Sequence, residues 1–288
     1  MNVRTVAHLV AYLVIVVSLA MFAGAGISLH EQEWASMYGL LAAATMSALL
    51  AGIVIVFTRR DTQPSRRDGF GIATFGWLTV SVLGALPYIF SGVIPGFIPA
   101  VFETMSGFTT TGASVLTDLE ALPRGILFWR AMTHFFGGMG VLVLCVAILP
   151  FLKVGGVQIY QAEVPGPAKD RLTPRISATA KLLWGLYVLL SVAQTALLML
   201  GGMSLFDAAC HTFTTMATGG FSPKAASIGH YQSAAVEYVV IVFMFLAGIN
   251  FSLHFFAWRY VSLRHYLEDP EFRTYCAFLF AVSAVVVS

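Results

Sequence analysis

The chain has 288 residues, of which 58% are hydrophobic and 10% charged, against roughly 25% charged in a soluble domain. With a mean hydropathy of +0.82, that composition excludes an ordinary soluble enzyme and indicates an integral membrane protein. The net charge of +2 is spread along the chain in loops, so it gives no basic face for nucleic acid.

A helix needs about 20 apolar residues to cross a hydrocarbon core of about 30 Å. Stretches of that size run Val6–Leu29, Ala35–Thr58, Phe70–Phe90, Gly125–Leu149, Ile176–Leu200, Ala234–Trp258 and from Thr274 onward. The first follows only Arg4 and lacks a clear small-residue cleavage site, so it reads as a retained helix rather than a signal peptide. Ile98–Phe108 and Leu205–Thr214 are too short to cross and read as re-entrant half-helices. Pro99 suits a first helical turn, and Ser204-Leu205-Phe206-Asp207 has the form of a helix start. With both short pieces returning to the outside, every lysine and arginine except Arg124, Arg130 and Lys224 falls on one side, the cytoplasm, together with the N-terminus.

Two Thr/Gly loops follow the short pieces: Thr109-Thr110-Thr111-Gly112-Ala113-Ser114 and Met216-Ala217-Thr218-Gly219-Gly220-Phe221. Gly112 and Gly219 stand 107 residues apart, as do Trp77 and Trp184, which implies a repeat of the form helix, half-helix, Thr/Gly loop, helix. The expected organisation is all-α. Two extra transmembrane helices (1–62) precede a first helix–pore loop–helix repeat (63–152), a cytoplasmic loop (153–173) and a second repeat (174–260). A further loop and the start of a truncated third repeat (261–288) follow.

Irregular backbone at membrane depth is tolerated where it lines a wet cavity, and carbonyl oxygens there can replace the hydration shell of a cation. Glycine opens backbone angles closed to other residues, and threonine adds a hydroxyl. Thr110, Thr111 and Gly112, with Ala217, Thr218 and Gly219, meet these needs. Both half-helices end just before the loops, so their partial negative ends face the cation.

The segments Phe102–Ala113 and Phe213–Ser222 resemble the pore loops of the Trk/Ktr/HKT superfamily of potassium transporters. So do Gly137-Gly138-Met139-Gly140-Val141, Val164–Asp170, Leu172-Thr173-Pro174-Arg175-Ile176 and Ala247-Gly248-Ile249-Asn250-Phe251, and the two extra helices favour the TrkH/TrkG branch. The resemblance implies four helix–pore–helix repeats around one pore in the bacterial inner membrane. Carbonyls of Thr110, Thr111, Gly112, Ala217, Thr218 and Gly219 would coordinate K+. It also implies a homodimer in the lipid bilayer and a nucleotide-binding regulatory ring protein of the TrkA type on the cytoplasmic side, which part of 153–181 could touch. No organic cofactor is implied. Plant relatives that favour sodium carry serine for the first filter glycine, so the glycines here imply potassium. The chain holds two of four filter segments, and the rival reading is a truncated, non-conducting scaffold or a dimerising half-pore.

Glu103 and Asp207 are acids within the half-helices, expected to anchor them rather than shape the cation field directly. Arg130, beside Trp129, is expected to snorkel to the interface. His134, His211 and His254 lack partners at metal-ligand spacing, and Cys145, Cys210 and Cys276 read as small core residues. Gly24-x-Gly26 lies inside a span rather than after a strand, and there is no P-loop or catalytic constellation, so an enzyme is not expected.

Overall fold

The computed structural model describes residues 1–58, 66–148, 176–260 and 262–287. The described residues form twelve α-helices, one short 3₁₀ turn and no strand. The expected cytoplasmic loop 153–173, with the motifs at Val164–Asp170 and Leu172–Arg175, lies outside the described residues.

Helices α1 (Val3–His30) and α2 (Trp34–Phe57) form an N-terminal hairpin. Asn2 caps α1 by accepting from the N–H groups of Arg4 and Thr5. Glycines let this hairpin approach the rest of the bundle closely. A Cβ on Gly39 would meet Ser91 backbone nitrogen at 2.6 Å, and one on Gly125 would meet the Gly24 carbonyl at 2.6 Å. Gly24 is therefore a packing glycine, as expected for a helix interior. Glu33, in the α1–α2 turn, accepts from the N–H groups of Arg124 (2.7 Å) and Gly125 (3.3 Å), satisfying the open start of a distant helix.

The third apolar stretch is α3 (Arg66–Gly84) followed by α4 (Leu86–Phe90), interrupted at Ala85 just before Pro87, which has no N–H to donate. The half-helix α5 (Phe97–Phe108) comes next, then α6 (Arg124–Ile148). The second stretch has α7 (Ile176–Leu200), the half-helix α8 (Leu205–Met216), the 3₁₀ turn Ser227–Tyr231 and α9 (Ala234–Ala247). The chain continues through α10 (Phe251–Tyr260), α11 (Arg264–Glu268) and α12 (Pro270–Val287).

Among the described residues, Val3–His30, Trp34–Phe57, Arg67–Phe90 and Leu182–Leu200 are long and apolar enough to cross a membrane. At about 1.5 Å per residue, the 25 residues of α6 also have the length to cross. The half-helices, 12 residues each, are about 18 Å long and do not.

Ala234–Trp258, expected as one straight span, is instead broken between Ala247 and Phe251 with a bend of 98°. The physical reason is local. Gly248 ends α9, and the Asn250 side chain accepts from the Ser252 N–H at 3.0 Å, capping a new helix start. His254 then holds the corner, with Nε2 2.8 Å from the Leu246 carbonyl and Nδ1 2.6 Å from the Tyr266 hydroxyl.

Helix α6 is central to the bundle, packing on α1, α2, α3, α5, α7 and α8. Its start depends on Glu33. Glu33→Ala is expected to lower stability by about 0.5–2 kcal/mol, the range for a lost helix cap, read as a lower thermal midpoint in detergent.

Candidate functional site

The half-helices α5 and α8 end in the same turn. After the C-cap Thr109, Thr110 adopts a left-handed φ of 54°, its N–H bonds to the Gly107 carbonyl and the Thr111 N–H to that of Ser106. After Ala217, Thr218 has φ 56°, and the N–H groups of Thr218 and Gly219 bond to the carbonyls of Thr215 and Thr214. This is the helix-terminating pattern that normally places glycine at the left-handed position. A β-branched residue there is an outlier that costs of order 1–3 kcal/mol and persists only when its surroundings hold it. Two residues on, Gly112 (φ 76°) and Gly220 (φ 85°) turn the chain again.

All these equivalent positions lie 108 residues apart, which corrects the offset of 107. Ala217, matched with Thr110 in the sequence reading, occupies the place of Thr109, and Gly219 that of Thr111. The tryptophans misled. Trp77 packs on Phe108 (ring centroids 6.4 Å apart), whereas Trp184 is 42% exposed. The doubled glycine at 219–220 hid the shift. A usable signal stood in the sequence: both loops end Gly-x-Ser, at Gly112-Ala113-Ser114 and Gly220-Phe221-Ser222.

The turns satisfy the last carbonyls of the half-helices and leave the next ones open. Among the described residues, no backbone N–H bonds to the carbonyls of Thr110, Thr111, Gly112, Thr218, Gly219 or Gly220. The two loops meet each other, because a Cβ on Gly112 would fall on the Gly219 carbonyl oxygen.

One face of α6 supports both loops. A Cβ on Gly137 would overlap the Phe108 carbonyl and come within 2.9 Å of Thr110 Cγ2; one on Gly138 would lie 2.8 Å from Ala217 Cα. The His134 ring stacks on Phe221 with centroids 3.9 Å apart and backs the Gly219 backbone. Thr133 sits against Gly107. The sequence reading named Gly137 and Gly138 only as motif residues and missed this supporting role. The spacing 130, 133/134, 137/138, one helical face, was the available signal.

Arg130 does not snorkel. It is 3% exposed, and its Nε lies 2.7 Å from Glu103 Oε1, a carboxylate that is itself fully buried. A lone charge buried this far is too costly, so the two neutralise each other. Glu103 also accepts from the Ser114 hydroxyl and the Val115 N–H, both at 2.9 Å. It thus anchors the loop leaving the first turn. Arg130 donates to the Ser222 carbonyl at 3.1 Å and lies 3.5 Å over the Phe221 ring.

Asp207 has the helix-start position expected of it, its N–H bonding to Ser204 Oγ at 3.1 Å. Outside the spans, Glu120 accepts from the Ala225 N–H at 2.9 Å, which holds its carboxyl below the ordinary range and links the stretches beyond the two loops. His134 and His211 are buried without hydrogen-bond partners on both ring nitrogens and on Nε2 respectively, whereas His254 is bonded on both nitrogens. The described residues hold no cluster of His, Cys, Asp or Glu that could bind a metal. Cys210 is buried and unpaired.

Two glycines give opposite expectations. Gly137→Ala pushes into backbone that cannot yield, with an expected cost of about 1–3 kcal/mol. Gly26→Ala meets nothing within 4 Å and is expected to stabilise by about 0.5–1 kcal/mol. Thermal midpoints in detergent check both.

A profile of the TrkH family, described as a cation transport protein, matches residues 36–288. The chain is 41% identical over 283 residues to the Trk system potassium uptake protein TrkH of Halomonas elongata, covering 97% of this chain and 58% of that one. To the Trk system potassium uptake protein TrkG of Escherichia coli K12 it is 37% identical over 289 residues, covering 100% and 59%. The crystal structure of the potassium transporter TrkH from Vibrio parahaemolyticus matches with a TM-score of 0.82 at 36% identity, covering 97% of this chain and 57% of that one. The chain therefore spans 57–59% of the length of these relatives. Its all-helical fold and sequence agree: the chain belongs to the TrkH family of cation transport proteins.

Proposed function

We propose that this chain supplies two segments of a potassium-selective filter to a Trk-type uptake protein of the bacterial inner membrane. The observation that carries this reading is the pair of matching left-handed turns that leave consecutive carbonyls unbonded at the ends of two half-helices. Thr110, Thr111 and Gly112 form the first segment. For the second we assign Thr218, Gly219 and Gly220 in place of the expected Ala217, Thr218 and Gly219, a reading supported by the 108-residue register of the two turns, with Ala217 leading into it.

The chemistry is exchange of hydration oxygens for carbonyl oxygens. The half-helix ends add partial negative charge. The ion pair Glu103–Arg130 places a carboxylate and a guanidinium together, so it presents no net charge to a passing cation. Sequential carbonyl sites without a charged ligand favour a weakly held, mobile ion. A membrane potential of 100 mV contributes about 2.3 kcal/mol per charge, enough to draw K+ inward without a coupled ion. Exposed apolar side chains such as Leu49, Ile53, Phe57 and Phe70 suit contact with lipid. A cytoplasmic N-terminus, a homodimer and a nucleotide-binding ring partner belong to the same reading and rest on the family resemblance and the charge distribution.

In the full-length protein, expressed in cells without other potassium uptake, Gly112→Ser with Gly220→Ser is expected to reduce preference for K+ over Na+ by about tenfold or more, a loss of at least about 1.4 kcal/mol of discrimination. Rubidium and sodium uptake measure it. Unchanged ion preference in a double variant that reaches the membrane would sink the assignment.

A further inference from the structure

We infer that Arg130 is a selectivity-positioning residue that locks the two filter loops into one unit, an inference that rests on the filter reading above. Each contact has a distinct destination. Through Glu103, Arg130 is joined to Ser114 and Val115, the residues leaving the first loop. Through its own guanidinium it holds Ser222 and Phe221, the residues leaving the second. A planar fork spans both sides at once with its Nε and Nη donors, a reach and fixed geometry that a compact ammonium lacks.

The device occurs once in the two described stretches. At the offset of 108 set by the half-helices, His211 stands where Glu103 does. Counting from the starts of α6 and α9, Val240 stands where Arg130 does. Among the described residues of the second stretch, no buried ion pair takes its place. The second loop therefore takes its position from the helix of the first, and the two sets of carbonyls cannot shift independently. Filter selectivity depends on the relative placement of ligands held by rigid supports. A change at Arg130 should consequently alter ion preference without touching any coordinating atom.

The test uses the full-length protein in proteoliposomes and in cells. Arg130→Gln and Phe221→Leu are compared with the parent for K+, Rb+ and Na+ uptake, alongside Gly112→Ser with Gly220→Ser. Arg130→Gln is expected to lower K+-over-Na+ preference about tenfold, the scale of coupling between contacting residues. Arg130→Lys should recover only part of the loss, since it restores charge but not the fork. Phe221→Leu keeps the ion pair and removes the ring contacts of the second loop with both Arg130 and His134; a drop of about threefold is expected, within the same range of coupling. It keeps the question open to measurement if Arg130→Gln does not reach the membrane. Lower uptake of all ions in proportion, with preference unchanged in both Phe221→Leu and whichever Arg130 variant inserts, overturns the positioning role. If the glycine variants shift preference and these do not, the clamp alone is wrong. If the glycine variants also leave it unchanged, the filter reading fails with it.

Discussion

The arrangement of this molecule depends on one face of α6 being narrow enough to lie close against two polar loops that meet each other. Gly137 and Gly138 remove side chains where the backbones of Phe108 and Ala217 press closest. Thr133 and His134 fill the next turn, and Arg130 completes the stripe toward the start of the helix. A helix with larger residues at these points would separate the loops and expose backbone that has no partner inside a membrane. Small residues thus set a distance, and the charged residue above them sets an orientation.

The threonines at φ 54° and 56° show why such support is needed. Each strained turn would relax in isolation, because a β-branched side chain disfavours that backbone region. The turns persist because they are held from several directions. Helix-end hydrogen bonds fix the amides of Thr110, Thr111, Thr218 and Gly219, and α6 presses on the loops from behind. Glu103 fastens the first exit, while Phe221 is held between His134 and Arg130. What remains open after this is a row of backbone carbonyl oxygens.

The N-terminal hairpin acts on the same helix from the other end. Glu33 supplies hydrogen-bond acceptors to the first amides of α6, and Gly24 and Gly125 bring α1 against it. The helices ahead of the first loop stretch are therefore structurally continuous with the loop support. Further along, Asn250 and His254 stabilise a corner where hydropathy alone shows an unbroken apolar run.

Much of this was legible in the sequence because the relevant physics is local or additive. Apolar length marked the spans and the half-helices, since crossing a membrane depends on run length, and glycine beside threonine marked the loops. The sequence by itself also determined family membership through its motifs. Tertiary structure decided the register of the second loop, which the shared Gly-x-Ser ending only hinted at, because equivalence follows hydrogen bonding at the helix end and not the position of a tryptophan. It decided the 98° break, since a capping asparagine competes with an apolar run that hydropathy cannot weigh against it. It also decided the fate of Arg130. Charge and flanking residues point to snorkelling, but the partner that buries it is Glu103, 27 residues away on another helix. Pairing across space is invisible to a linear pattern, and here it determines whether a costly charge becomes the fastening between two loops.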